Sequence, residues 1–166
     1  MPNWCNNTVE IYHQDPAMLE RVRKGFNEGK LLNEFLPVPE DLQIVAGRVG
    51  DDNDPKQIEL EALEKRNLEK YGARNWYDWC VANWGTKWDA KEIDFNDDGD
   101  QSAYVFFDTA WSPPIELFNW FARQYPDSEM QLEFIEEGCQ FEGIWSYNPQ
   151  DGFALNEWKP DPQTWE

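Results

Sequence analysis

A chain of 166 residues has room for one compact domain with a real core, and for little more. Its residues are 40% hydrophobic, but the 16% aromatic share means that few side chains bury much area; no apolar run nears the ~20 residues of a membrane-spanning helix, and the N-terminus lacks the basic start and apolar stretch of a secretion signal. A soluble, cytoplasmic protein is expected, and its net charge of −19 repels phosphates and anionic headgroups, which argues against direct nucleic-acid or membrane binding.

From Thr8 to His13 apolar and polar residues alternate, the period of a half-buried strand. Asp15-Pro16 then opens a helix to about Asn27, with Leu19, Val22 and Phe26 on one stripe and Gly29 beyond its end. The two prolines of residues 36–42 predict a rigid extended connection, and residues 47–55 read as an exposed loop. Pro55 to Tyr71 predicts an amphipathic helix carrying Ile58, Leu60, Leu63 and Leu68, closed by Gly72. Asn75 caps another helix, with Asp78 in its first turn, Trp76, Trp79, Cys80 and Trp84 along one face, and Gly85 at its end.

Ala90 to Phe95 and Ala103 to Asp108 predict a hairpin turned by residues 96–100. Ser112-Pro113 supplies an N-cap and first-turn proline for a helix through Gln124, with Ile115, Phe118, Phe121, Ala122 and Tyr125 inward. Glu129 to Glu136 alternates again, and Cys139 to Tyr147 returns beside it; the tail, about residues 149–166, reads as loop. The expectation is an α+β, ferredoxin-like βαββαβ antiparallel sheet with its helices on one face. A helical insertion, about residues 33–88, separates the first helix from the second strand, and one extra strand follows at the C-terminus.

Several words of the sequence carry a resemblance. Met1 to Asn7, the Phe35 to Pro39 connection, the blocks Asn75 to Cys80 and Asn83 to Asp89, and Phe107 to Pro114 resemble the YubB-like family with a ferredoxin-like domain, found on plasmids and bacteriophages. The resemblance spans residues 1–147 and implies the same fold, an origin on a mobile element and hence a bacterial host cell; it carries over no catalytic residue.

The chemistry-bearing residues are sparse. Cys5, Cys80 and Cys139 are odd in number and widely spaced, which supports neither a disulfide framework nor a zinc site, and His13 is the lone histidine. No catalytic residue, metal or cofactor is expected. Asp94 to Gly99 imitates the opening of a calcium loop, but its twelfth position is Val105 where a bidentate Glu belongs, so a plain acidic turn is the reading. An N-terminal Pro2 could serve as an amine base, yet no partner acid is identifiable, and a tied-down arm is expected instead.

Within residues 75–89, the spacing of Trp76, Trp79 and Cys80 favours burial, whereas Trp88 and Trp111, beside strand ends, are expected to stay partly open. Asn3, Cys5, Asp78, Trp84, Lys87, Trp88, Asp89, Asp108 and Trp111 form a candidate polar cleft. Charge is the stronger lead. Residues 1–91 hold 12 basic and 16 acidic side chains, but residues 92–166 hold only Arg123 and Lys159 against 17 acids. Because Met130, Leu132 and Phe134 form one face of their strand, Glu129, Gln131 and Glu133 take the other, and such carboxylates cost a sheet stability that solubility alone does not require. Asp94, Asp97, Asp98, Asp100, Glu129, Glu133, Glu136, Glu137 and Glu142 are the expected partner-binding set.

The function expected is that of a non-enzymatic accessory protein binding a basic host protein surface, as a charge mimic of nucleic acid that inhibits a defence or DNA-processing complex. The alternatives are an enzyme or small-ligand protein using the Trp-lined cleft, and a structural or virion-associated module.

Overall fold

The computed structural model describes residues 2–97 and 101–159. Its twelve-residue helix α1 (Pro16–Asn27) shows how directly local chemistry sets the elements: Asp15 accepts from the Ala17 N–H at 2.9 Å, Pro16 occupies the first turn, and Met18, Leu19 and Val22 are buried on one stripe. α1 follows strand β1 (Trp4–Tyr12) and precedes a short helix α2 (Leu31–Phe35) that the sequence had not signalled. A 3₁₀ turn (Glu40–Leu42) then leads through a loop to α3 (Pro55–Tyr71) and α4 (Trp76–Asn83), so the helices of the insertion alternate with irregular connections. Strands β2 (Lys91–Asp97) and β3 (Ser102–Ala110), helix α5 (Ile115–Gln124), and strands β4 (Glu129–Glu136), β5 (Phe141–Asn148) and β6 (Gly152–Trp158) complete the order.

The strands form one antiparallel sheet in the order β2-β3-β1-β4-β5-β6. Its first four strands have the split connectivity of a ferredoxin-like unit, and β5 and β6 extend it past β4. Residues 152–158 therefore correct the loop-like tail: they form a second added strand, where one was expected. Asn148 makes this return tight, its side-chain oxygen accepting from the N–H groups of Gln150 and Asp151 at 2.9 and 2.8 Å.

The helices cover one face. Val9 and Ile11 of β1, Val105 and Phe107 of β3, Met130 and Leu132 of β4 and Trp145 of β5 meet the buried stripes of α1, α2 and α5. Trp145 packs against Phe118 at 5.8 Å between ring centroids and satisfies its indole N–H by donating to Asn119 Oδ1 at 2.9 Å. Gly143 is required by close approach: a Cβ there would lie 2.5 Å from the Phe134 ring.

Two local expectations fail for physical reasons. Ser112 does not cap α5, which starts at Ile115 after Pro114; its hydroxyl instead donates to the Gly85 carbonyl and joins the α5 approach to the end of α4. On α3, Ile58 and Leu68 are exposed while Gln57, Leu60 and Asn67 are buried. Polar anchoring decides that orientation, because Asn67 Nδ2 donates to the Asp41 and Arg74 carbonyls at 2.9 and 3.1 Å.

Candidate functional site

Among the described residues no helix covers the sheet's second face, and its side chains form rows across the strands. One row runs Asp94, Phe106, Thr8, Glu133, Ile144, Asn156; the next runs Lys91, Asp108, Asn6, Ile135, Glu142, Trp158. A third places Tyr104, Glu10, Gln131, Ser146 and Ala154 side by side, and Glu129 lies opposite Tyr12. Carboxylates thus alternate with exposed apolar groups, among them Phe106, Ile135, Ile144 and Trp158. Neighbouring rows are two residues apart and strands ~4.8 Å apart, so these carboxylates crowd one another diagonally.

Pairing separates this face from the rest of the molecule. The first half holds a set of ion pairs: Arg21 and Lys24 on Glu34, Arg23 on Glu20, Arg48 on Asp52, Lys70 on Asp41 and Arg74 on Asp78. Among the described residues, no ion pair joins Glu10, Asp94, Asp108, Glu129, Glu133 or Glu142 to a cation. Among the described residues their polar side-chain partners are amides, Asn6 donating to Asp108 at 2.7 Å and Gln131 to Glu133 at 2.8 Å. Uncompensated negative charge beside apolar surface is a field and a contact area in one place.

Over β4, β5 and β6 the face sinks into an open groove of ≈ 750 Å³, bordered by Thr8, Glu133, Ile135, Glu142, Ile144 and Trp158. Asp94, Glu129, Glu133 and Glu142 of the expected binding set therefore share this face. Glu136 does not. It points with Phe134 into the interior, 1% exposed, where its carboxylate accepts from Gly138 N–H at 3.1 Å and from Cys139 N–H, holding the β4–β5 turn. Glu137 is exposed in that turn; Asp98 and Asp100, like the Asp97 side chain, lie outside the described residues. Glu10 and Phe106 belong to the face without having been singled out, although the β1 alternation already placed Glu10 opposite Val9 and Ile11.

Of the candidate polar cleft, Trp84, Lys87, Trp88 and Asp89 border one open pocket of ≈ 370 Å³, and Asn3, Cys5, Asp78, Asp108 and Trp111 are not part of its lining. Trp84 is buried, 5.9 Å from Trp79, and its indole N–H donates to the Leu36 carbonyl. Asp78 faces Arg74 on α4, and Asp108 lies on the open sheet face. Asp89 is structural: it accepts from the N–H groups of Leu32, Asn33 and Ala90 at 2.8, 3.0 and 2.8 Å, tying the start of α2 to β2. Burial raises its pKa above the usual aspartate range, and those three donors hold the rise back. Cys5 is fully buried with its thiol pushed up to about 12, first by burial and then by the charge of Glu136. Asn3 gives its carbonyl to the Trp111 N–H at 2.9 Å.

What remains is an aromatic cluster at one end of β1. Trp88 and Trp111 are part-open as expected, and Trp4 joins Trp88 at 6.4 Å. Lys87 Nζ lies 4.1 Å from the Trp88 centroid and 3.8 Å from that of Trp111, so the protein's own ammonium fills the space between the rings. Among the described residues no group of three His, Cys, Asp or Glu side chains could hold a metal ion, and no helix is long and apolar enough to cross a membrane.

Residues 83–162 match the family model described as a ferredoxin-like domain in Api92-like protein. Along 98% of its length the chain is similar to the crystal structure of protein Api92 from Yersinia pseudotuberculosis, covering 100% of that chain at a TM-score of 0.56 and 13% identity, a likeness of fold. No curated protein matches the sequence.

Proposed function

We propose that this is a non-enzymatic, acidic accessory protein of a phage or plasmid that binds a basic surface of a host protein through the open face of its sheet. The observation that carries the reading is the row structure of that face: Asp94, Glu10, Glu129, Glu133 and Glu142 stand unpaired among exposed Phe106, Ile135, Ile144 and Trp158. Like charges held together cost the sheet stability, and a cationic partner removes that cost on binding. A basic surface of this extent is commonly a nucleic-acid-binding groove, so occupying it makes the protein a charge mimic that inhibits a defence or DNA-processing complex. The mobile-element setting rests on the sequence resemblance alone.

The test compares the native chain with a variant carrying Asp94→Asn, Glu129→Gln, Glu133→Gln and Glu142→Gln. Proteins retained from host lysate are identified, and the affinity of each purified partner is measured across a salt series. The native chain is expected to retain nucleic-acid-binding proteins, to displace nucleic acid from them, and to lose affinity steeply with salt; the variant binds more weakly with a flatter dependence. Equal affinities and equal salt slopes would overturn the proposal.

A further inference from the structure

The two edges of the sheet are built differently. At β2 the edge is protected: its register on β3 shifts between Lys91 and Asp94, and Glu92 there has a φ of 45°, a bulge that breaks the row of outward N–H and C=O groups. Among the described residues β6 has no such bulge. Its register on β5 runs unbroken from Gly152 opposite Asn148 to Trp158 opposite Glu142, and among the described residues it is the last strand of the sheet. Three of the β6 side chains are apolar and open, Phe153 at 48%, Leu155 at 50% and Trp158 at 59% exposure, while Glu157 pairs with Lys159 at 3.1 Å. A regular edge with this much open apolar surface is a template for another strand.

Charge selects the occupant. Glu142 is one strand in from this edge and Glu133 two strands in, both facing the groove that opens over β4, β5 and β6. A second copy of this chain would bring a net charge of −19 against itself, whereas a cationic strand complements the site. We propose that β6 is a strand-addition site for an extended segment in which Lys or Arg alternates with apolar residues. Its apolar side chains pack on the helix side, beside Phe153 and Leu155. Its basic side chains cross the low Ala154 and Asn156 positions toward Glu142, roughly two strand spacings, or ~10 Å, away. The backbone supplies affinity and the alternation supplies selectivity. The charge half of this inference rests on the proposed function; the backbone half does not.

The probe is a blocked peptide alternating Lys and Ile, seven residues long like β6, titrated against the full chain. Two companion peptides carry N-methyl groups on all Lys or on all Ile residues, which removes the donors of one peptide edge without changing charge. Binding is expected for the parent, with at least a roughly tenfold loss for one methylated form and little loss for the other, because only one edge faces β6. Glu133→Gln/Glu142→Gln is expected to weaken all three peptides by a similar factor.

No binding by the parent peptide overturns the inference, as does equal binding by both methylated forms. If binding depends on charge but not on methylation, strand addition falls and the acidic-face reading stands. If methylation matters and the two Gln substitutions do not, the edge stands and the charge selection falls. Sedimentation as a dimer that excludes the peptide assigns the edge to a second copy, against this proposal.

Discussion

Asp89 shows how one side chain joins segments far apart in sequence. Removing it in Asp89→Ala strands three N–H groups, of Leu32, Asn33 and Ala90, and is expected to destabilise the fold by at least ~2 kcal/mol in urea titration. The pH dependence has a definite sign. Because its folded pKa is raised, Asp89 favours the fold in its protonated form; that contribution is complete below the unfolded pKa and is lost as pH rises through the folded one. The gap between native and variant stability should therefore narrow as pH climbs through and above the aspartate range. The thiols give a second residue-scale test: Cys5 and Cys80, buried and both pushed up to about 12, should resist iodoacetamide in the native protein at pH ~8, while exposed Cys139 is alkylated, as peptide mass analysis will show. Glu136 was legible in principle, since the alternation that sends Met130, Leu132 and Phe134 inward carries it inward too; its charge suggested the surface, and the N–H donors of the following turn are what make burial tolerable.

At the scale of elements, α3 inverts the usual hierarchy. Asn67→Ala is expected to cost ~1–3 kcal/mol by orphaning two carbonyls, whereas Ile58→Ala and Leu68→Ala should stay within ~0.5 kcal/mol, all read by chemical denaturation. Periodicity located this helix to the residue but not its buried side, because the partners of Asn67 come from other segments. The core strands behave conventionally: Trp145→Ala should cost ~3–5 kcal/mol, and its loss also empties the partner of Asn119. Alternating strands, the Asp15 and Asn75 caps and Gly72 were all readable, since each is a local signal. Helix α2, the start of α5 and β6 were not, because they depend on Asp89, on the Ser112 bond to Gly85 and on an edge offered by β5.

Across the whole molecule, charge is segregated by pairing as much as by count. Glu20, Glu34, Asp41, Asp52 and Asp78 of α1 and the insertion are held in ion pairs, and the acids of the open sheet face are not. Screening should consequently stabilise the free protein: between roughly 0.01 and 0.15 M salt its melting temperature is expected to rise, and the fourfold-neutralised variant should melt higher at low salt and respond less. A native protein indifferent to salt would contradict a repulsive face. Half of this site was visible beforehand, in Glu129, Glu133, Glu142 and Asp94, because a period of two assigns faces; the contribution of β1 and β3 required the strand order, which no local pattern states.

The place of β1 in that order has a consequence for synthesis. Val9 lies opposite Val105 on one side and Leu132 on the other, so an early segment of the chain becomes the middle of the sheet. At ~5–20 residues per second, a ribosome takes on the order of ten seconds to deliver both neighbours. Until β3 has been made Val9 and Ile11 have no ladder to join, and until β4 follows β1 keeps one edge open, so these buried side chains depend on late-synthesised segments for cover.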